Sequence, residues 1–342
     1  MLNDKFNREH KHISLAHGSG GKLMHNLIKN LFLPSFGNPL LSKLDDAAVF
    51  EVGGKKLAFS TDTYVVNPLF FPGGNIGKLA VCGTVNDLAV MGAKPLWLSC
   101  GMVIEEGFDY DILSKIITSM KKTALQAGVE IVTGDTKVVE KGKCDGVFIN
   151  TSGVGIISGD PLDIENIQEG DAVIVNGSLG EHGIAVLSCR TGLGFTTRIE
   201  SDCAPLNDFI DEILSNSDGI RFMRDPTRGG LATTLNEIVE ARDYGILLNE
   251  KDIPVSDGVK GACELLGFDP LYIANEGKVV VVVEKEKANN VLEVMHKHKL
   301  GINSAVIGYI SVKCKRKVCM KTVSGGTRII DMLVGEQLPR IC

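Results

Sequence analysis

The run of five valines at 279–283 narrows the fold more than any other feature. β-Branched side chains are stiff at χ1 and pack well on a pleated surface. An unbroken run of them, with Lys278 before it and Glu284 after it, therefore reads as a buried strand. It is also the longest aliphatic stretch in the chain, far short of the roughly 18–20 apolar residues of a membrane span. No membrane partner is expected.

Other strand-like and helix-like segments alternate with it. Segments 57–61 and 98–104 are apolar with turn residues at their flanks and read as strands, and 78–91 between them reads as a largely buried helix. Asp109 opens another helix, with Ile112, Ile116, Ile117, Met120 and Ala124 on one face, and Gly128 stops it. Strands are expected at 129–133 and 147–157. The stretch 158–170, holding Gly159, Asp160-Pro161 and Gly170, is the expected junction. Beyond it the pattern restarts with a strand at 172–175, helices near 181–190, 205–215 and 230–242, the valine strand, and a helix at 287–298. At 342 residues the chain exceeds one ordinary core. The reading is α/β, two domains at 1–157 and 158–334, each with a mixed sheet covered by helices. The tail at 335–342, broken by Pro339, has no period and is expected to be extended and mobile.

A net charge of −6 without a long Lys/Arg run argues against nucleic acid or an anionic membrane as partner. Lys313, Lys315, Arg316 and Lys317 read as a solvated strand edge. Residues 1–11 are polar and lack the core of a signal peptide, so a cytoplasmic location is expected. The nine cysteines are scattered without CxxC pairs and read as small core residues in a reducing compartment. Cys342 stands apart as the last residue.

The stretch His17-Gly18-Ser19-Gly20-Gly21-Lys22 lacks P-loop spacing. It is either a mobile loop or a lid whose backbone N–H groups approach phosphates. Asp45-Asp46, Asp62, Asp87, Asp135 and Asp225 recur among apolar, Gly or Thr residues, where a carboxylate is costly unless paired, hydrogen-bonded or bound to a cation. One such Asp is a turn residue; several together favour a Mg²⁺ and phosphate site. On an extended segment only one of Asp45 and Asp46 can face a shared site. Asp87, inside an apolar helix, is equally a metal ligand or a buried hydrogen-bond partner of a neighbouring strand. Gly134-Asp135-Thr136-Lys137 follows a strand that reads as buried, the usual location of binding groups in α/β folds. Asp225-Pro226-Thr227-Arg228-Gly229-Gly230 precedes a helix whose N-terminus favours anions, and Ala274-Asn275-Glu276-Gly277-Lys278 precedes the valine strand.

Together these segments resemble the hydrogenase-maturation HypE family, in the superfamily of aminoimidazole ribonucleotide synthetase, selenophosphate synthetase and thiamine monophosphate kinase. The segments that carry the resemblance are HGSGGK at 17–22, LDDAA at 44–48, the long stretch 59–95, VTGDTKVV at 132–139, DPTRGGLATTLNEI at 225–238, DPLYIANEGK at 269–278 and PRIC at 339–342, so it covers essentially the whole chain. Asn75 stands where the family pattern has Asp. The resemblance implies a two-domain aminoimidazole ribonucleotide synthetase-like fold that dimerises through its first domain, with ATP in the cleft. It implies Mg²⁺ and phosphate roles for Asp45, Asp62, Asp87 and Asp225, and a phosphate cover at Gly18, Gly20, Gly21 and Lys22. Asp135 and Thr136 are expected beside the nucleotide, and Lys137 and Glu276 beside the modified Cys342. The implied reaction is ATP-dependent dehydration of an S-carbamoyl group on Cys342 to a thiocyanate, which supplies cyanide to the iron of [NiFe] hydrogenase. The carbamoyltransferase HypF and the HypC–HypD iron scaffold are the implied partners.

Two other enzymes compete less well. Selenophosphate synthetases place a Cys or selenocysteine in the glycine-rich loop, and 17–22 contains none. A thiamine monophosphate kinase leaves Cys342 unexplained. A rival from another class is a non-enzymatic metallochaperone with Cys342 as a ligand for iron or nickel. No His or Cys cluster accompanies it, since His296 and His298 fall on an expected helix surface.

Overall fold

The computed structural model describes residues 12–190, 198–335, 338 and 340–342. The polar stretch 1–11 and Pro339 lie outside the described residues. Two mixed sheets organise the chain. The first is built from β1 (Ala48–Val52), β2 (Lys55–Tyr64), β3 (Ala93–Glu105), β4 (Glu130–Val139) and β5 (Val147–Ile157), in the order β1-β2-β5-β3-β4. All its pairings are antiparallel except β3 with β4. Helices α1 (Ile76–Val90) and α2 (Tyr110–Ala127) cover one face. β5 alternates strictly between buried and half-buried positions, the mark of a sheet with one covered face.

α1 is mostly apolar and buried along its length, Lys78 and Asp87 apart, as befits a helix packed on nearly every side. It lies on β2, β3 and β5 and also meets the second half of the chain. Its cap is Asn75, whose Oδ1 accepts the N–H groups of Gly77 and Lys78 at 2.9 and 3.1 Å. Asn caps as well as Asp, so the departure from the family pattern leaves this function intact. α2 begins at the cap of Asp109 and ends at Gly128 in the left-handed region.

The second sheet contains β6 (Ala172–Val175), β7 (Ile220–Arg224), β8 (Gly245–Asn249), β9 (Val280–Val283), β10 (Ala305–Ser311), β11 (Val318–Lys321) and β12 (Thr327–Ile330), in the order β12-β11-β8-β10-β6-β9-β7. Helices α3 (Glu181–Ser188), α4 (Asn207–Asn216), α5 (Gly230–Val239), α6 (Asp257–Leu266) and α7 (Ala288–Lys297) belong to this half. Ala89 and Val90, at the end of α1, join the core that α4 and α7 make under this sheet, so α1 ties the halves together.

Two expectations need correction. Gly134 to Lys137 do not follow a buried strand; they lie inside β4, an exposed edge strand with β3 as its one neighbour. The basic stretch at 313–317 is a 3-10 turn (Val312–Cys314) and the lead into β11. The described residues at the end of the tail are docked here: the N–H groups of Val65 and Asn67 donate to the main-chain oxygens of Cys342 and Arg340, both at 3.1 Å, and Ile341 is buried. No helix among the described residues is long and apolar enough to cross a membrane.

Candidate active site

Where the two halves meet, a cavity of about 290 Å³ opens. Its lining brings together Gly20, Asp45, Asp62, Asp87, Asp225, Glu276 and Cys342, seven of the residues singled out from the sequence. Gly18 lines a smaller adjoining cavity, which Cys342 also borders. Gly21 and Lys22 sit just behind, with the N–H of Lys22 on the carbonyl of Leu333 at 2.8 Å. Asp135, Thr136 and Lys137 do not line the cavity of their own chain. Lys137 Nζ instead holds Asp135 at 2.6 Å on the exposed surface of β4.

Each acidic side chain arrives from a different element. Asp62 and Tyr64 come from the end of β2, where Tyr64 donates to Asp62 Oδ2 at 3.1 Å. The Tyr64 hydroxyl passes close over α1 at Gly83, where a Cβ would stand 2.1 Å from it. Asp87 faces β2 from α1 and accepts the Ser60 hydroxyl at 2.6 Å. The hydrogen bond to a neighbouring strand is thus present, and the same carboxyl lines the cavity. Asp225 follows β7 and is buried. The glycine-rich loop closes one side. Gly20 adopts φ +80°, with the Arg228 carbonyl 2.9 Å from where a Cβ would be, and Arg228 Nη1 donates to the Gly18 carbonyl at 3.1 Å.

Asp46 leads a second network. Arg224 is held by Asp46 Oδ1 at 3.1 Å, by Glu237 at 3.5 Å and by the Leu44 carbonyl at 2.7 Å. His25 closes it on Glu237 at 2.9 Å. Burial would raise Glu237, but Arg224 and the His25 hydrogen bond hold it below the usual range. Of the Asp45-Asp46 pair, Asp46 is thus engaged by Arg224, while burial alone dominates Asp45 and raises it.

The remaining carboxyls repel one another. Burial pushes Asp87 well above the usual carboxylate range, and Asp62, Asp225 and Asp46 push it further. Asp225 is raised by burial and then by Asp46 and Asp62. Glu276 is raised by burial, and then by Cys203 and the site's acids. The Cys342 thiol is pushed up to about 12 by burial, with Glu276, Asp62 and Asp225 adding and Arg228 opposing. Such a set fits a divalent cation, whose charge would remove the repulsion. Among the described residues no three His, Cys, Asp or Glu side chains already form a metal-holding group.

Arg228, which faces Cys342, escaped the sequence reading as a site residue although the segment around it did not. Arg224, Glu237 and Tyr64 escaped it too, since nothing in their spacing marks an ion pair that only the fold assembles.

A two-domain enzyme fold with an acidic interdomain cleft is the class defined here. Residues 44–157 match the family described as AIR synthase related protein, N-terminal domain, and residues 168–320 match its C-terminal domain. A curated relative from Bradyrhizobium diazoefficiens, carbamoyl dehydratase HypE, is 52% identical over 332 residues, which is 96% of this chain and 96% of the relative. The crystal structure of a hydrogenase maturation protein HypE in complex with ATP is 47% identical with a TM-score of 0.81, and covers 97% of this chain and 100% of that one. The crystal structure of a HypE–HypF complex gives 47% identity and a TM-score of 0.85 over 90% of this chain and 99% of that one. The chain belongs to the HypE family of carbamoyl dehydratases.

Proposed function

We propose that the chain converts an S-carbamoyl group on its own Cys342 into a thiocyanate at the expense of ATP, as a supplier of cyanide to hydrogenase iron. One observation carries the reading: the Cys342 thiol stands in the acidic cavity with Glu276, Asp62, Asp225 and Arg228. Relatives crystallised with ATP and with HypF support it.

A carbamoyl oxygen is a poor leaving group. Phosphorylation of that oxygen by ATP, with loss of one N–H proton, makes it a good one. Cleavage of the C–O bond, with loss of the second N–H proton, leaves S–C≡N, ADP and phosphate. Glu276 is the base: a carboxylate whose environment disfavours its charge accepts a proton more readily than an ordinary one. Arg228 offsets negative charge developing near Cys342. Asp45, Asp62, Asp87 and Asp225 are the residues that would hold Mg²⁺, which neutralises phosphate charge during transfer. Gly18, Gly20, Gly21 and Lys22 form the phosphate cover.

Lys137, Asp135 and Thr136 enter the reading through a second copy. The first sheet has an open face on which Phe59, Trp97 and Val103 are exposed, and Lys137 pairs in register with Val103. A second copy laid on this face brings its own β4 towards this chain's cleft, where its Lys137 polarises the carbamoyl oxygen. HypF delivers the carbamoyl group and the HypC–HypD scaffold receives the cyanide.

Mass spectrometry of the C-terminal peptide tests the reading. After carbamoylation and incubation with ATP and Mg²⁺, the peptide is expected to lose the mass of one water. A peptide that keeps its carbamoyl mass while ATP is consumed, or that loses water without ATP, overturns the proposal.

A further inference from the structure

The docked tail is held by three main-chain oxygens, and two of them face the first half of the chain. The Cys342 oxygen takes the Val65 N–H; the Arg340 carbonyl takes the Asn67 N–H at 3.1 Å and Arg190 Nη2 at 2.9 Å. The carbonyl between them, that of Ile341, is bound from the second half by His182 Nε2 at 2.8 Å. His182 lies on α3, wholly buried, with its ring edge-on to Phe71 at 5.3 Å.

Hydrogen-bond chemistry fixes this ring's protons. A carbonyl only accepts, so Nε2 carries the hydrogen. Burial lowers the pKa of His182, so the ring is neutral and Nδ1 is an acceptor. Its partner at 2.8 Å, the Ser201 hydroxyl, is then the donor, and Ser201 Oγ itself accepts the Cys203 N–H at 3.1 Å. The neighbouring Asp202 accepts the N–H groups of Glu276 and Gly277, both at 3.2 Å, and Lys278 Nζ at 2.9 Å. Residues 201–203 therefore hold, side by side, the ring that grips the tail and the loop that carries Glu276.

We infer that His182 is a positioning residue that latches the docked tail by the Ile341 carbonyl and so sets Cys342 against Glu276. This rests on the proposed reaction for its purpose, though not for its geometry. No apolar residue can replace the ring without leaving a buried carbonyl unpaired. Gln can, because its amide N–H reaches the place of Nε2.

Alkylation tests the latch in the full-length protein without ATP. A docked thiol, enclosed in the cavity beside Glu276 and Arg228, reacts through the released tail, so the rate at which iodoacetamide labels Cys342, read on its own peptide by mass spectrometry, reports release. One lost hydrogen bond predicts a roughly threefold to tenfold faster labelling in His182→Phe. His182→Gln should return towards wild type, and Ser201→Ala, which frees the tautomer, should lie between. Buried Cys82 serves as the fold control. Equal Cys342 labelling in wild type and His182→Phe, or labelling of His182→Gln as fast as that of His182→Phe, overturns the inference. Should Cys82 also become reactive in His182→Phe, Ser201→Ala decides, and an unchanged rate there overturns it. A wild type that never dehydrates refutes the reaction and leaves the latch to stand or fall on labelling.

Discussion

In the second sheet all residues of β6 and β9 are buried, and their side chains feed two different cores. Val173, Val175, Val280 and Val282 pack with α5 on one face, while Ala172, Ile174, Val281 and Val283 pack with α4 and α7 on the other. The first sheet has α1 and α2 on one face only. Its other face exposes Phe59, Trp97 and Val103, and its edge strand β4 exposes Ile131, Val132 and Val138. A sheet closed on both faces is a finished core; one with an apolar open face and an unpaired apolar edge has the surface an interface needs. The cleft lies between the finished half and the unfinished one.

Charge placed on each sheet separates these roles. Val281→Asp buries an unpaired carboxylate at a cost of several kcal/mol, so it should leave little folded protein, as circular dichroism and solubility would show. Trp97→Asp, at a residue 50% exposed, should fold with a nearly unchanged melting temperature and sediment as a monomer. Sedimentation of Trp97→Asp as a dimer would rule out the open face as the interface.

The same contrast predicts complementation. Lys137→Ala disables the contribution from the open sheet, and Glu276→Gln the contribution from the cleft; each alone should lose dehydration. If Lys137 acts on the partner's cleft, a mixed dimer carries one intact site, so random mixing should restore about a quarter of wild-type activity. Mixed variants that stay inactive would show that Lys137 serves its own chain or none.

How far these regions could be read from sequence follows the same division. The runs at 172–175 and 279–283 are apolar throughout because both faces are covered, and they were legible as strands, as were β5 and the capped α2. β1, β7, β8, β10, β12 and α6 fall outside the strands and helices read from the sequence; the strands are short, so few alternations mark them. The acids of the cleft were legible as a group, since Asp45, Asp62, Asp87 and Asp225 stand in apolar or Gly-rich settings that make an unpaired carboxylate costly. The resemblance added the expected place of Glu276 beside Cys342. β4 misled because Ile131 and Val132 look buried in sequence, and only the fold shows that they lie exposed on an edge strand. His182 gave no signal at all: a histidine in a short apolar helix is indistinguishable from a core residue until Ile341 is seen against it.

The smallest expected effect concerns the repulsion inside the cleft. Asp87 is raised well above its ordinary value of 3.8 by burial and by Asp62, Asp225 and Asp46. A carboxyl raised on folding contributes stability that is complete below its ordinary value and is lost as pH rises through the raised one. At neutral pH the ligand-free protein therefore carries a cost that Asp87→Asn removes, since the amide keeps an acceptor for Ser60 and has no charge. The ligand-free variant should melt roughly 2–5 °C higher than wild type at pH 8, and the gap should narrow as the pH falls towards 5. With ATP and Mg²⁺ the order should reverse, because the wild-type charge is what the cation binds. An Asp87→Asn protein that melts lower than wild type at every pH, or that gains as much from Mg²⁺ and ATP, would return Asp87 to being the hydrogen-bond partner of Ser60 and nothing more.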